Sequence, residues 1–274
     1  MKIKVQRWWG YVLGFILFYS PFAYFQKLVY YMFFNRWQDL SIHSLCLRIQ
    51  IEHLFDGMLP FLGPVFIASL VALFLTSVIF GPVYCGIFCP TGAVTEYISR
   101  LMPDKYQIEW QKYVDITAMR YGMLAAYVLL PFFNTALACA YCNFYVFDLL
   151  INYMLFGYMV SLTSSLLITL FLWLIVFGLF TKGGRGFCLF LCPVGALQNL
   201  LSSITFKLPW VYRIRVKQQS CIGCSCCIKY CPMQAITIVN KKAVFNPHQC
   251  IGCRACLQHC PTKAIFYGRK QYEE

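Results

Sequence analysis

Eight cysteines near the C-terminal end constrain this chain more than any other feature. Cys221, Cys224, Cys227 and Cys231 are spaced C-x2-C-x2-C-x3-C, and Pro232 follows the last. Cys250, Cys253, Cys256 and Cys260 repeat that spacing, and Pro261 follows. The halves match beyond their cysteines: each opens on Cys-Ile-Gly-Cys and has Ala-Ile soon after its Cys-Pro. Three thiolates this close grip three corners of an iron–sulfur cubane from one turn, and the fourth, ahead of proline, ligates the other cluster. The spacing therefore assigns Cys221, Cys224, Cys227 and Cys260 to one [4Fe–4S] cluster, and Cys250, Cys253, Cys256 and Cys231 to a second. Zinc sites seldom use this run with proline behind it, and disulfides are disfavoured in a reducing compartment. Cys226 falls outside the pattern.

This run is the two-cluster bacterial ferredoxin signature. It predicts a small α+β domain over 207–274. AITIVNKKAVF reads as two short strands turning at Asn240-Lys241, and KAIFYG as a strand able to pair in the same way.

The rest of the chain is too apolar for an ordinary soluble domain: 60% of residues are hydrophobic and 12% charged. No charge occurs in Trp8–Phe25, Gly57–Thr95, Tyr121–Phe147 or Leu149–Thr181. About 20 apolar residues cross a bilayer as a helix. The expectation is a mostly α integral membrane protein, with a four-helix transmembrane bundle over 1–206 and spans near 8–30, 57–80, 118–138 and 155–180. The first run follows Lys2, Lys4 and Arg7 and lacks a small-x-small cleavage site, so it reads as a retained anchor. Basic residues cluster at the N-terminus, in the 81–117 connection and in the tail. This places both termini on the cytoplasmic side of a prokaryotic inner membrane.

The formal charge of +13 does not point to nucleic acid. Between Lys182 and Tyr272 there is no Asp or Glu, but eight thiolates on metal offset part of that excess. The remainder suits anionic lipid or an acidic electron-transfer partner. There is no C-x-x-C-H for covalent haem and no P-loop; GGRG at 183–186 lacks the loop's lysine and spacing.

A second repeat sits where apolar runs end. YCGIFCPTGA (84–93) and FCLFLCPVGA (187–196) both read aromatic-C-x3-C-P-x-G-A. Each follows a pair of expected spans and is succeeded by a helix-compatible stretch fit to lie along the interface. Three readings fit Cys85, Cys89, Cys188 and Cys192. They ligate a further iron–sulfur cluster, they cycle between dithiol and disulfide, or they are inert buried thiols.

The order of C-x3-C-P, C-x3-C-P and then two ferredoxin motifs resembles the NapH/NosR-type membrane-bound polyferredoxins, the membrane components of quinol dehydrogenases. The resemblance covers nearly the whole chain. It implies a quinone or quinol as substrate, with electrons passed through clusters to or from another redox subunit, ferredoxin-like or oxidoreductase. Two other functions fit the same residues: a thiol or metal-ion reductase in metal-centre assembly, and a redox-sensing membrane regulator.

The sequence departs from that pattern on the expected outer face. Cys139 and Cys142 follow the third run and Cys46 lies on the same side; the trio reads as a disulfide or a metal site. Quinol oxidation also releases protons, for which His43, Glu52, His53 and Asp56 are candidate acceptors. For any single one of those four, a solvated amphipathic surface is the simpler reading.

Overall fold

The computed structural model describes residues 2–38, 59–133, 142–157 and 163–270. Helix α1 (Lys2–Phe18) stops ahead of Pro21, whose ring and missing N–H do not continue a helix. Helix α2 (Tyr24–Phe34) restarts after Ala23, which takes a left-handed conformation. Helix α3 (Leu59–Phe80) is apolar throughout. It leads into a π-helical turn (Tyr84–Phe88) and helix α4 (Pro90–Ser99). Then come α5 (Ile116–Phe133), α6 (Asn143–Phe156) and α7 (Ser164–Leu170), which continues as a π-helical stretch over Phe171–Leu179. A short α8 (Gly186–Phe190) precedes α9 (Pro193–Ile204).

This is not the expected four-helix transmembrane bundle. Among the described residues one helix, over Gly63–Phe80, is long and apolar enough to cross a bilayer, and 17% of it is buried. The expected first span divides into α1 and α2 at Pro21. The third has a shorter apolar helix, Ile116–Leu130, and the fourth a shorter one, Ser164–Leu179. Helix α6 lies where a connection was expected, and Gly157 ends it with a positive φ of 68°. Uncharged runs alone did not reveal these breaks, because Pro, Gly and capping residues end helices without altering hydropathy.

The core beneath the helices is aromatic. Tyr19, Phe147, Trp173 and Phe187 are buried together with Val146 and Leu166. The connection that follows the first C-x3-C-P segment is joined to the stretch just ahead of the second by a short backbone bridge, in which Ile108 N–H donates to Phe180 O and Lys182 N–H to Ile108 O.

The tail folds as a duplicated unit. Strand β1 (Arg213–Val216), helix α10 (Cys226–Lys229) and strand β2 (Ile236–Val239) are followed by β3 (Lys242–Phe245), α11 (Ala255–Gln258) and β4 (Ile265–Gly268). Every element of the second set stands 29 positions after its mate, as Cys250 does after Cys221. Strand β2 pairs antiparallel with β3, and Asn240 and Lys241 take positive φ in the turn between them, as the sequence suggests. KAIFYG does not join that hairpin. Its strand β4 pairs with β1, which carries no turn signal beside it to announce the pairing.

The tail is seated on α3. Buried Arg213 donates to the carbonyls of Ser77, Val78 and Ile79 at the end of that helix, and Tyr212 N–H also donates to Ile79 O. Tyr267 OH donates to Phe80 O at 2.8 Å.

Candidate iron–sulfur centres

In each C-x3-C-P segment the second Cys N–H reaches back five residues to the aromatic carbonyl: Cys89 to Tyr84 at 2.9 Å and Cys192 to Phe187 at 3.1 Å. Such wide turns recur at functional sites. Each second Cys then caps a helix with Pro at its first position, where the missing N–H costs nothing. The helix N-terminus turns amides toward sulfur, and Gly195 N–H donates to Cys192 Sγ at 3.5 Å.

The repeat places Cys85, Cys89 and Cys192, all buried, near the half-buried Cys188. Burial first, then Cys192, Cys89 and Cys188, push the Cys85 thiol well above its ordinary range. Burial and Cys188 raise Cys89 to about 11, against Arg185 and the amides of Gly92 and Thr91. Cys192 is raised by burial and by Cys188.

The glycines of the two CPxGA stretches make room for guanidinium groups. A Cβ on Gly92 would stand 2.5 Å from Arg185 Nη1 and 3.4 Å from Cys188 Sγ. A Cβ on Gly195 would stand 2.9 Å from Arg120 Nη2 and 3.8 Å from Cys192 Sγ. Arg185 is wholly buried. It donates to Cys85 O at 2.8 Å, to Glu96 Oε2 at 3.0 Å and to Tyr11 OH at 3.1 Å. Arg7 donates to both Glu96 oxygens, at 3.0 and 2.8 Å. Arg120 donates to His248 O and Asn199 Oδ1, and among the described residues it has no ion pair.

The tail cysteines fit the cubane assignment unevenly. Cys231, Cys250, Cys253 and Cys256, the four assigned to the second cluster, line one cavity with Met233, Ile251 and Arg254. Ala235 N–H donates to Cys231 Sγ at 3.3 Å, an amide-to-sulfur bond of the kind that tunes cluster potentials. Of the first set, Cys221, Cys227 and Cys260 share one apolar core. Cys224 is exposed and its thiol is directed to Cys226, which the spacing leaves out. Gly223 and Gly252 take the same positive φ, 69° and 64°, in their respective C-x2-C loops.

Among the described residues no group of three or more His, Cys, Asp or Glu converges as round a single metal ion. A cubane does not ask for that, because its thiolates bind separate iron atoms and stand further apart.

The two regions touch at backbone level. The turn carrying Gly86 lies on Ile251 and Cys253, and Cys85, Cys188, Cys231, Cys250 and Cys253 belong to one packed cluster. Asn199 of α9 donates to the carbonyls of Pro247 and Cys250. Gly183 packs on Pro232 and Gly184 on Thr95. GGRG is thus the joint between the C-x3-C-P halves and the tail. Helix α9 buries its polar Gln198, Asn199 and Ser202 rather than lying along an interface.

Of the other candidates, Cys142 caps α6. His43, Glu52, His53, Asp56, Cys46 and Cys139 lie outside the described residues. Sequence reading missed Arg120, Arg185 and Asn199. Their signal was faint: a lone arginine opening an apolar run, another inside GGRG, and an asparagine in an amphipathic stretch.

These features define an iron–sulfur protein with ferredoxin-type [4Fe–4S] domains. The "4Fe-4S binding domain" family matches residues 62–109 and 165–213, one C-x3-C-P segment in each, and the "4Fe-4S dicluster domain" family matches 220–264. Among curated proteins the chain is similar to the "Putative electron transport protein YccM" of Escherichia coli K12. They are 26% identical over 183 residues, which is 65% of this chain and 49% of that one. Two proteins of Methanocaldococcus jannaschii, MJ0750 and MJ0749, both described as uncharacterized, are also 26% identical. The match covers 61% of this chain for each, and 66% and 58% of their own lengths. The chain thus spans about half the length of the first relative and under two thirds of the others. No solved structure matches. The domain matches and the electron-transport relative support electron transfer as the general activity.

Proposed function

We propose that this chain is a membrane-associated electron-transfer subunit. It moves electrons between a quinone in the bilayer and two [4Fe–4S] clusters in its tail, and from there to or from a soluble redox partner. The Cys85/Cys89/Cys188/Cys192 group lies between bilayer and tail in this reading. The clusters are held by Cys221, Cys224, Cys227 and Cys260, and by Cys250, Cys253, Cys256 and Cys231.

One observation carries the proposal: the Gly86 turn of the first C-x3-C-P segment packs directly on the Ile251–Cys253 loop of the tail. Such contact brings the buried thiols beside the second cluster's cavity, which is what a relay requires. The membrane component rests on the apolar exterior. Ile67, Val71, Phe74 and Leu75 of α3 are all at least half exposed, and patches of this kind mark membrane or partner contacts. Quinone chemistry is also what the resemblance to NapH/NosR-type proteins implies.

The test is reduction of the clusters by quinol. Protein purified without air into lipid is mixed with menaquinol or ubiquinol, and cluster reduction is followed by electron paramagnetic resonance. Reduction by quinol, or re-oxidation of reduced clusters by quinone, is expected. Neither reaction with either quinone would overturn the quinone component.

A further inference from the structure

We infer that Asp148 is the group that receives the quinol proton, at a notch where helix α6 meets the break between α1 and α2. The inference deepens the electron-transfer reading above, and rests on it for the quinol and for the clusters that take the electrons.

Two carboxylates are buried among the described residues, Glu96 and Asp148. Glu96 is ion-paired with Arg7 and Arg185. Asp148 has no ion pair among the described residues. Its Oδ1 accepts the Ser20 N–H and its Oδ2 accepts from Asn152 Nδ2, both at 3.3 Å. Ser20 Oγ in turn donates to Asn152 Oδ1 at 3.3 Å. These bonds are longer than the usual value of about 2.9–3.0 Å, and they leave acceptor capacity on both oxygens. An asparagine oxygen would accept the Ser20 N–H as well, so hydrogen bonding alone does not call for an acid. A charge buried with neutral partners only is expensive to keep, whereas a carboxyl that takes up and releases a proton has a use for that position.

The surroundings suit a quinol ring. Phe147 precedes Asp148 and stands edge-on to Tyr19 at 5.2 Å and to Trp173 at 6.2 Å. Phe15 is edge-on to both Phe147 and Phe22, and Phe22 reaches the exterior. Ser20 and Asn152 are half-buried. The notch is therefore aromatic on its inner side and polar at its mouth. A ring that bears hydroxyls packs against the first and hydrogen-bonds to the second.

The electron has a separate route inward. Tyr19, next to Ser20, is wholly buried, and its OH hydrogen-bonds with Thr91 Oγ. Thr91 lies two residues after Cys89, and its amide is directed to the Cys89 sulfur. The same C-x3-C-P segment touches the tail through Gly86. A quinol O–H bond breaks, its proton passes to the Asp148 carboxylate, and one electron leaves for a tail cluster. Asp148 gives that proton to solvent past Ser20 and Asn152, and the second hydroxyl repeats the transfer. The quinol thereby loses two protons and two electrons and becomes quinone, each tail cluster taking one electron.

Asp148 lies outside Gly63–Phe80, the one described helix long enough to cross a bilayer. Burial pushes its carboxyl up to about 6, against the Ser20 N–H, which lowers it. The other titratable groups on the elements packed here are Tyr19, Lys27 of α2, which donates to Pro21 O, and Cys142, Tyr145 and Tyr153 of α6. On the α4 side they are Cys89 and the paired Glu96, and α7 carries none. A proton acceptor must be ionised, so quinol oxidation slows as pH falls through the value of Asp148.

The experiment uses the full chain purified without air into lipid, with menaquinol and ubiquinol as donors. Cluster reduction is followed by stopped flow between about pH 5 and pH 8. Wild type should lose rate below about pH 6. Asp148→Asn should be slower by about 10²–10⁴-fold, the usual contribution of a general base, and should show no acid limb. Its clusters should keep their spectra and still be reduced by dithionite. Asp148→Glu should recover the acid limb. Because Asp148→Asn can disturb the α1–α2 break, Asn152→Ala serves as the second probe. Loss of a donor to the carboxylate should move its limb to higher pH.

A wild-type rate in Asp148→Asn, an acid limb that persists in it, or an unmoved limb in Asn152→Ala would overturn the inference and leave the proposed function standing. A wild-type chain inert toward both quinols would remove the quinone reading, and this inference with it.

Discussion

Gly86 and Ile251 meet backbone to backbone. A Cβ on Gly86 would stand 2.2 Å from the Ile251 carbonyl oxygen and 2.9 Å from Cys253 N. Backbone cannot yield as a flexible side chain does, so Gly86→Ala must force the C-x3-C-P turn away from the tail. Overpacking of this kind costs about 1–3 kcal/mol. The variant should melt several degrees below wild type in detergent, keep its tail iron and transfer electrons from quinol more slowly. Melting and stopped-flow measurements check this; an unchanged transfer rate would mean that electrons do not cross at this contact.

The buried Glu96 is the keystone of the arginine network. Burial would raise its pKa, but Arg185 and Arg7 outweigh that and hold it below the ordinary 4.5. A depressed carboxylate contributes stability that is fully present above its unfolded pKa and lost only as pH falls through the folded value. Glu96→Gln leaves two buried arginines short of a partner, at a cost of about 3–5 kcal/mol. The melting temperature of the variant should therefore lie below wild type by an offset that stays constant between about pH 8 and pH 5. An offset that shrinks across that window would show Glu96 titrating higher than its surroundings dictate.

The tail was legible because covalent chemistry writes it plainly. Two matched runs of cysteine and proline, an Asn-Lys turn and alternating strands leave few alternatives, and the β2–β3 hairpin forms where that pattern lies. Strand β1 was not legible, because its partner β4 lies more than 45 residues on and no local signal pairs them. In the N-terminal part, apolar runs misled. Hydropathy records the absence of charge, whereas Pro21 and Gly157 end helices inside or beside those runs. The C-x3-C-P repeat announced its thiols, yet not the guanidinium groups behind its glycines. Arg120 and Arg185 come from outside the repeated decapeptides, and only the fold brings them to the sulfurs.

The two tail clusters should differ in robustness. Cys231, Cys250, Cys253 and Cys256 enclose a cavity beneath the C-x3-C-P segments, whereas Cys224 of the other set is exposed. Oxygen reaches an exposed thiolate first. Brief air exposure should remove about four irons per chain from the cluster that includes Cys224 before the other is touched. Cys256→Ser should delete the complementary signal. Timed iron assays with electron paramagnetic resonance check the order, and simultaneous loss of both signals would contradict it.

The exposed face around the first cluster is basic. Lys229 and Lys241 are exposed, on α10 and in the β2–β3 turn, and no acidic residue lies between Lys182 and Tyr272. A surface of one sign steers a partner of the other, raising association by about 10–10³-fold at low salt. Screening shortens its reach to about 8 Å at physiological ionic strength. Electron transfer to an acidic soluble carrier should therefore slow as salt rises. The Lys229→Glu/Lys241→Glu variant should be slower by at least about ten-fold at low salt and should lose most of that salt dependence. Its rate of reduction by quinol should not change, because both lysines lie in the first half of the tail, away from the Gly86 contact. Second-order rates measured against salt for both proteins decide the matter. Equal slopes would place the docking face elsewhere on the molecule.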